Sequence, residues 1–571
     1  MVGQLDLRYH GKIPSKYVKL WEQIAYEMSK SFADLIDSLS KEHAKNIDWW
    51  ASSPASRNTL ASPLFHYCCC ISLLRELIRK GKPVTEIITD SMAFKKITEE
   101  YLVGQRVSVK VTLDRTSIKQ RLKKILRPVY TLFGIPVQHL FLSLIAKRTQ
   151  HLGKPLLSDP LVLIDTVIMP GYIDRDRNYP GLLNVLSEKE KGSVWFVPLL
   201  YGFRPWQYLS VIRQLRRSER NFVLKEDYLE FKDFLFAWGH ILRVRLLKIK
   251  PCLFQGVDIS RLVQEEMKSF KGIGASSTTL LNYRFARRLK EANINLRLVV
   301  DWFENQNIGK GWNAGFRRYY PETLTRGYQG FAVTPHYLCM YPTEEEKKNA
   351  VIPHEITVIG KGLVDSVHKF CPDLQVMVAP AFRFQKVWQE RKCFPASSAY
   401  TILVALPIMV SDAINILTVL AHDKADLNKN IRLWIKPHPA TPPSIIKKNF
   451  GKDWPKEFEF IGGDFNECVE KSNLLISSVS SVCLETLAKG IPVIVVGNRY
   501  GNPIPGTITE DIWRLCYSPK EIAKAIQCYK NRSQEKIKEH EEVGREIRAQ
   551  YFEQVTRDGV KKFLNIGLDE G

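Results

Sequence analysis

Short apolar runs recur through the second half of the chain, at 355–360, 376–379, 401–406, 431–435, 458–461, 474–477 and 492–496. Between them, segments such as 411–422 and 481–489 place apolar residues at helical spacing. Alternation of this kind predicts βαβ units on a parallel sheet. Ligands of such sheets sit beyond the carboxyl ends of the strands.

The first half alternates less cleanly. Its predicted strands are 107–112, 161–167, 193–198 and 296–300, with helices at 63–79 and 280–292. A Pro- and Gly-containing stretch at 327–353 suggests a division into residues 1–335 and 336–571. The expected architecture is α/β: two Rossmann-like domains facing a central cleft, the second ending in a charged helix near 533–555. One insertion, at about 115–158, lacks any acidic residue. Arg115, Lys119, Arg121, Lys123, Lys124 and Arg127 lead into the apolar run 129–146, and Lys147 and Arg148 follow it. It reads either as a helix at the headgroup boundary of an anionic membrane or as a core helix with a basic rim.

Composition narrows the class. With 45% hydrophobic residues the chain can bury large cores, so disorder is not the default. A net charge of +23 favours an anionic partner: nucleic acid, an anionic membrane or a phosphorylated substrate. No nucleic-acid reading motif accompanies that charge. Eleven cysteines form no C-x-x-C pair and no zinc-like cluster, which fits reduced thiols in the cytoplasm. The first residues lack the apolar stretch of a signal peptide. A cytoplasmic protein, peripheral at the inner face of the membrane if the insertion serves that purpose, is the expectation.

Two motifs carry candidate chemistry. The run 431–435 delivers Lys436-Pro437-His438-Pro439, whose prolines stiffen a turn at a strand's carboxyl end. Lys436 offers charge and His438 a donor to a diphosphate. The run 474–477 ends in Ser478-Val479-Ser480-Ser481, where a helix begins whose free N–H groups suit an anion. Glu485 follows one turn after Ser481, within reach of a ribose hydroxyl. Each motif alone also reads as an ordinary turn or cap; separated by one βα unit, they meet at one sheet edge.

Lys436-Pro437-His438-Pro439, Ser480-Ser481, Glu485 and Gly490-Ile491-Pro492-Val493 resemble bacterial polysialyltransferases, capsule Kdo transferases and CDP-glycerol glycerophosphotransferases of teichoic-acid synthesis. The resemblance implies that His438, Ser480 and Ser481 hold the phosphate of a cytidine nucleotide donor, with Lys436 assisting and Glu485 near the ribose. In the first half, Trp49-Trp50, Ser56-Arg57-Asn58, Ser62-Pro63-Leu64-Phe65, Asp301 to Gln306, Lys310 and Gly327-Tyr328-Gln329-Gly330 resemble surface carbohydrate (capsule or O-antigen type) biosynthesis proteins.

Read physically, the strand at 296–300 ends in Asp301 and Glu304. Glu304 reads either as a general base for an acceptor hydroxyl or as an ion-pair brace at the domain boundary. Arg57, Asn58, Gln306 and Lys310 are acceptor-side candidates. Asp174-Arg175-Asp176 reads as a salt-bridged turn, and no metal or resident cofactor is expected. The leading function is transfer of a sugar from a nucleotide donor, cytidine by resemblance, to a polysaccharide or lipid-linked glycan. Phosphoalcohol transfer and a non-catalytic GT-B-like scaffold are the alternatives.

Overall fold

The computed structural model describes residues 3–9, 11, 13–82, 84–114, 126–155, 160–389, 399–422, 431–451, 453–499 and 501–567. The first three strands, β1 (Gln4–Asp6), β2 (Glu86–Thr89) and β3 (Lys110–Leu113), pair in parallel as a small sheet of their own. It packs with the long helix Ser15–Glu42 and the helix Leu64–Arg79, whose Cys68, Cys69 and Cys70 are fully buried. The run expected at 107–112 therefore belongs to a separate layer and not to the first large sheet.

The first large sheet contains β4 (Leu161–Ile168) and β5 (Val194–Leu200). A short hairpin, β6 (Leu253–Phe254) and β7 (Val257–Asp258), lies outside it. The sheet then takes β8 (Leu296–Trp302), β9 (Leu324–Gln329), β10 (Glu355–Val358) and β11 (Gln375–Val378). All pairs are parallel, in the order β11-β10-β9-β8-β4-β5. Pro198 sits in β5, an edge strand, where a missing N–H costs least.

The second large sheet is built from β12 (Tyr400–Ala405), β13 (Ile431–Lys436), β14 (Phe458–Phe460), β15 (Leu474–Ser477), β16 (Val493–Val496) and β17 (Trp513–Cys516). Its order, β14-β13-β12-β15-β16-β17, is all parallel. Numbered within the sheet, this is the 3-2-1-4-5-6 order of a dinucleotide-binding fold. Strands β15 and β16 are buried at every residue, as sheets covered on both faces require. Two Rossmann-like domains of this kind give the α/β, GT-B-like architecture.

The division falls later than residue 335. Run 355–360 pairs onto β9 and run 376–379 onto β10, completing the first sheet, so the chain crosses between sheets after Val378 and before Tyr400. Apolar pattern marks a strand but not the sheet it joins. The C-terminus then crosses back. The helix Arg557–Leu564 places Phe563 against Tyr328 and Phe382, with ring centroids 5.2 and 5.4 Å apart. Arg326 in β9 holds Glu355 at 2.5 Å and the carbonyl of Lys562 at 3.0 Å. These contacts tie the end of the chain to the first domain.

Behind β8, the helices Ile273–Glu291 and Asn307–Tyr319 cross closely. A Cβ on Gly311 would stand 2.0 Å from the Thr279 carbonyl oxygen. Alanine gains about 1 kcal/mol over glycine in an open helix. Here, Gly311→Ala is expected to lose about 1–3 kcal/mol net through overpacking; a higher urea midpoint than the wild type would contradict the observed crossing.

Candidate active site between the two large sheets

Strand order reverses between β4 and β8 in the first sheet, and between β12 and β15 in the second. Connections diverge at such points and leave a crevice at the carboxyl ends. Glu304 follows β8 at one crevice, and the Ser478–Ser481 turn follows β15 at the other.

Glu304 is half-buried, and its carboxylate accepts from Trp302 Nε1 at 3.0 Å, Gln306 Nε2 at 2.5 Å and Tyr337 OH at 3.4 Å. A carboxylate has about four lone-pair positions, so one remains for an acceptor hydroxyl. The next residue, Asn305, adopts the left-handed conformation with φ of 47°. That bend separates Glu304 and Gln306, at the cleft, from the helix that follows.

The bend is held from beneath by Glu346. Its buried carboxylate accepts from Arg57 at 2.8 Å, from Asn305 Nδ2 at 2.9 Å, from the Thr343 amide at 3.0 Å, and from Lys310. Arg57 also donates to the carbonyls of Leu338 and Tyr341 at 2.9 and 3.0 Å. Burial alone would push the Glu346 carboxyl up, but Arg57 and Lys310 together hold it at about 2. This corrects the acceptor-side expectation for three residues. Arg57 and Lys310 are fully enclosed partners of Glu346, and buried Asn58 accepts from the Leu60 amide at 3.0 Å within its own turn. Only Gln306 stands at the cleft.

On the opposite wall, the Ala440 amide donates to His438 Nδ1 at 3.1 Å. The neutral ring therefore carries its proton on Nε2, as a donor. Burial, together with Arg177 and Arg383, holds His438 below the usual histidine range, so it is neutral at pH 7. Lys436 departs from expectation: its ammonium is drawn to the carbonyls of Gly462 and Gly463, at 3.3 and 2.7 Å, and braces the neighbouring turn. Ser477 and Ser478 are buried, bonded to the Ala405 carbonyl at 2.8 Å and to Asn498 respectively. Ser480 and Ser481 are half-buried at the start of the short helix Val482–Leu487, whose N-terminus has no side-chain cap from Ser481. The Ser481 hydroxyl instead bonds Glu485, whose carboxyl burial pushes up to about 7 against the opposing pull of Arg383.

Two cations absent from the sequence reading complete the cleft. Arg383 lies on the segment between the sheets, solvent-facing but recessed, 5.8 Å from the Trp302 ring. It interacts electrostatically with Arg177, Glu485 and Glu304. Arg177 belongs to the loop after β4. Neither carried a local signal: Arg177 directly follows the Asp174-Arg175-Asp176 run that reads as a salt-bridged turn, and Arg383 lies in a short 3-10 helix, Phe382–Trp388. Beside Arg177, Asp176 pairs with Arg220 at 2.9 Å, as a salt-bridged turn does. Behind Glu304, Asp165 of β4 and Asp301 of β8 are pushed up to about 8 and 7 by burial and by neighbouring carboxylates. No group of three or more potential metal ligands occurs among the described residues.

No family model matches the chain, and no curated protein matches it. Three of the solved structures that align with it illustrate the likeness. They are the glycosyltransferase SnogD from Streptomyces nogalater (TM-score 0.39, 12% identity, 71% of this chain and 99% of that one), a UDP-forming α,α-trehalose-phosphate synthase from Burkholderia xenovorans (0.40, 9%, 71% and 99%) and MurG from Acinetobacter baumannii (0.36, 10%, 71% and 98%). The fold assignment rests on the two sheets themselves.

Removing one partner of a buried ion cluster strands the other charges. Arg57→Met is therefore expected to destabilise the protein by about 3–5 kcal/mol. In the wild type, the depressed Glu346 carboxyl contributes stability that is complete above the ordinary glutamate range and is lost as pH falls toward 2. Chemical denaturation at pH 7 and pH 3 checks both: the gap between variant and wild type should narrow on acidification.

Proposed function

We propose that the chain is a glycosyltransferase that moves a sugar from a nucleotide donor to a polysaccharide or lipid-linked glycan. The observation that carries this reading is the electrostatic grouping of Arg177, Arg383, His438, Glu485 and Glu304 where the two switch-point crevices face each other. Two recessed arginines and an imidazole N–H suit a diphosphate. Glu485, with Ser481, lies where a ribose would follow. The resemblance of the K-P-H-P and Ser-Ser motifs adds cytidine as the expected base.

In this mechanism the acceptor hydroxyl oxygen bonds to the anomeric carbon as the bond from that carbon to the donor phosphate oxygen breaks. The electron pair leaves with the nucleotide, whose growing charge Arg177, Arg383 and His438 Nε2–H stabilise. The hydroxyl proton passes to Glu304. No resident cofactor or metal enters the scheme; the nucleotide sugar is a substrate. Ser480 and Ser481 assist at the phosphate, and Gln306 orients Glu304.

Thermal-shift titration with CMP, CDP, UDP, GDP and ADP tests donor binding and names the base. His438→Ala and Arg383→Gln are each expected to weaken the stabilising nucleotide by about 10–100-fold, since a charged-group hydrogen bond is worth about 1.5–3 kcal/mol. Unaltered affinity in both folded variants would remove the cleft from donor binding.

Glu304→Gln separates catalysis from binding. Turnover should fall by about 10²–10⁴-fold while the nucleotide shift persists. Retained turnover with a lowered melting temperature would assign Glu304 to structure alone.

A further inference from the structure

The helix Leu126–Arg148 spans 23 residues and is long and apolar enough to cross a membrane. It contains a π-helical turn at Tyr130–Gly134, just before Pro136, whose ring nitrogen cannot bond the preceding turn. The basic cluster expected ahead of it, Arg115 to Lys124, lies outside the described residues, as do 156–158.

The helix is inside out for a protein in water. Its polar side chains face the protein: Thr131 and Ser143 are buried, Gln138 donates to Tyr208 OH, and His139 Nδ1 accepts from Trp238 Nε1 at 3.4 Å. Gln138 and His139 line a cavity of about 120 Å³ whose other polar groups include Lys225, Glu226 and Thr278. Ile135 and Ile145 are buried, but most of the helix's large apolar side chains face outward, with Phe133 and Leu144 each 67% exposed and Val129, Leu132, Val137 and Phe141 also exposed. An amphipathic helix on a water-facing surface has the opposite arrangement.

The elements it packs against continue the pattern. Trp206 and Leu209 are exposed at the helix that carries Tyr208, Leu235 on the helix that carries Trp238, and Leu242 and Leu246 just beyond. An exposed apolar area of this extent marks a site of association. Its charge identifies the partner. Across residues 126–155, 199–218 and 231–250 the one acidic residue is Asp233, buried and paired with Arg288 at 2.6 Å. Arg127, Lys147, Arg148, Arg204, Arg245 and Lys248 are exposed beside the apolar residues.

We infer that this face rests on an anionic lipid surface, with the helix Leu126–Arg148 lying in the plane of the interface. In-plane placement keeps the bonds of Gln138 and His139 to the domain, which a spanning helix would break. Apolar side chains enter the acyl boundary while the surrounding cations meet lipid phosphates. This inference does not depend on the proposed chemistry.

Co-sedimentation of the full chain with phosphatidylglycerol-containing vesicles tests it, with pure phosphatidylcholine vesicles as the neutral arm. Binding is expected on the anionic vesicles, weaker but still present as salt rises from about 50 to about 500 mM, which shortens the Debye length about threefold. Phe133→Glu with Leu144→Glu should reduce the bound fraction at least tenfold with an unchanged melting temperature. Leu242→Glu with Leu246→Glu, on a different element, should do the same and guards against misfolding of the first variant. Wild-type protein left in the supernatant at low salt would overturn the inference. So would unchanged binding by both variants, or a wild-type dimer that these substitutions dissociate without any vesicle binding, which would make the face a contact between copies.

Discussion

Glu346 is the point on which the cleft depends. One buried carboxylate gathers Arg57 from the N-terminal unit, Asn305 and Lys310 from the connection after β8, and its own helix cap at Thr343. Taking these charges from water is costly, and only a complete set of partners offsets that cost. The cluster thereby fixes the left-handed turn at Asn305, and with it the direction of Glu304 and Gln306. The base role proposed for Glu304 would gain from a rigid supporting layer of this kind, because small displacements carry large rate penalties.

The small three-stranded unit links the two large domains. It meets the first through Arg57 and through Asp37, which accepts from Thr343 at 2.7 Å. It meets the second where Tyr517 donates to Glu22 at 2.5 Å and Arg499 to the Tyr9 carbonyl. The C-terminal helix closes the loop from the other side by docking Phe563 among first-domain aromatics. Two separate tethers therefore limit how the cleft can open.

Electrostatics divides the cleft by role. Burial, with Arg177 and Arg383 adding to it, lowers the proton affinity of His438, which leaves a neutral ring whose Nε2 proton is a donor. Glu485 and Glu304 both feel Arg383 through space, without the short ion pairs seen at Glu346. Cations that are recessed but not fully bonded are suited to an incoming anion, whereas those at Glu346 are fully committed.

Local pattern sufficed wherever the deciding physics was local. Apolar runs bounded by turn residues placed β4, β8, β12, β13, β15 and β16 within a residue or two, because a strand buried on both faces must read as a continuous apolar run. The same logic placed His438, Ser480, Ser481 and Glu485 at strand ends, and Glu304 at the end of β8. Tertiary structure alone decided which sheet β10 and β11 join, since pairing partners are not encoded in a strand's own hydrophobicity. It also decided which charges are free. Arg57 and Lys310 look like site residues in sequence, but Glu346, some 36 positions beyond Lys310, claims both. Arg177 and Arg383 look like ordinary surface arginines, yet the meeting of two domains sets them together. A side chain's chemistry is fixed by its type, but its availability depends on partners that only the folded chain brings within reach.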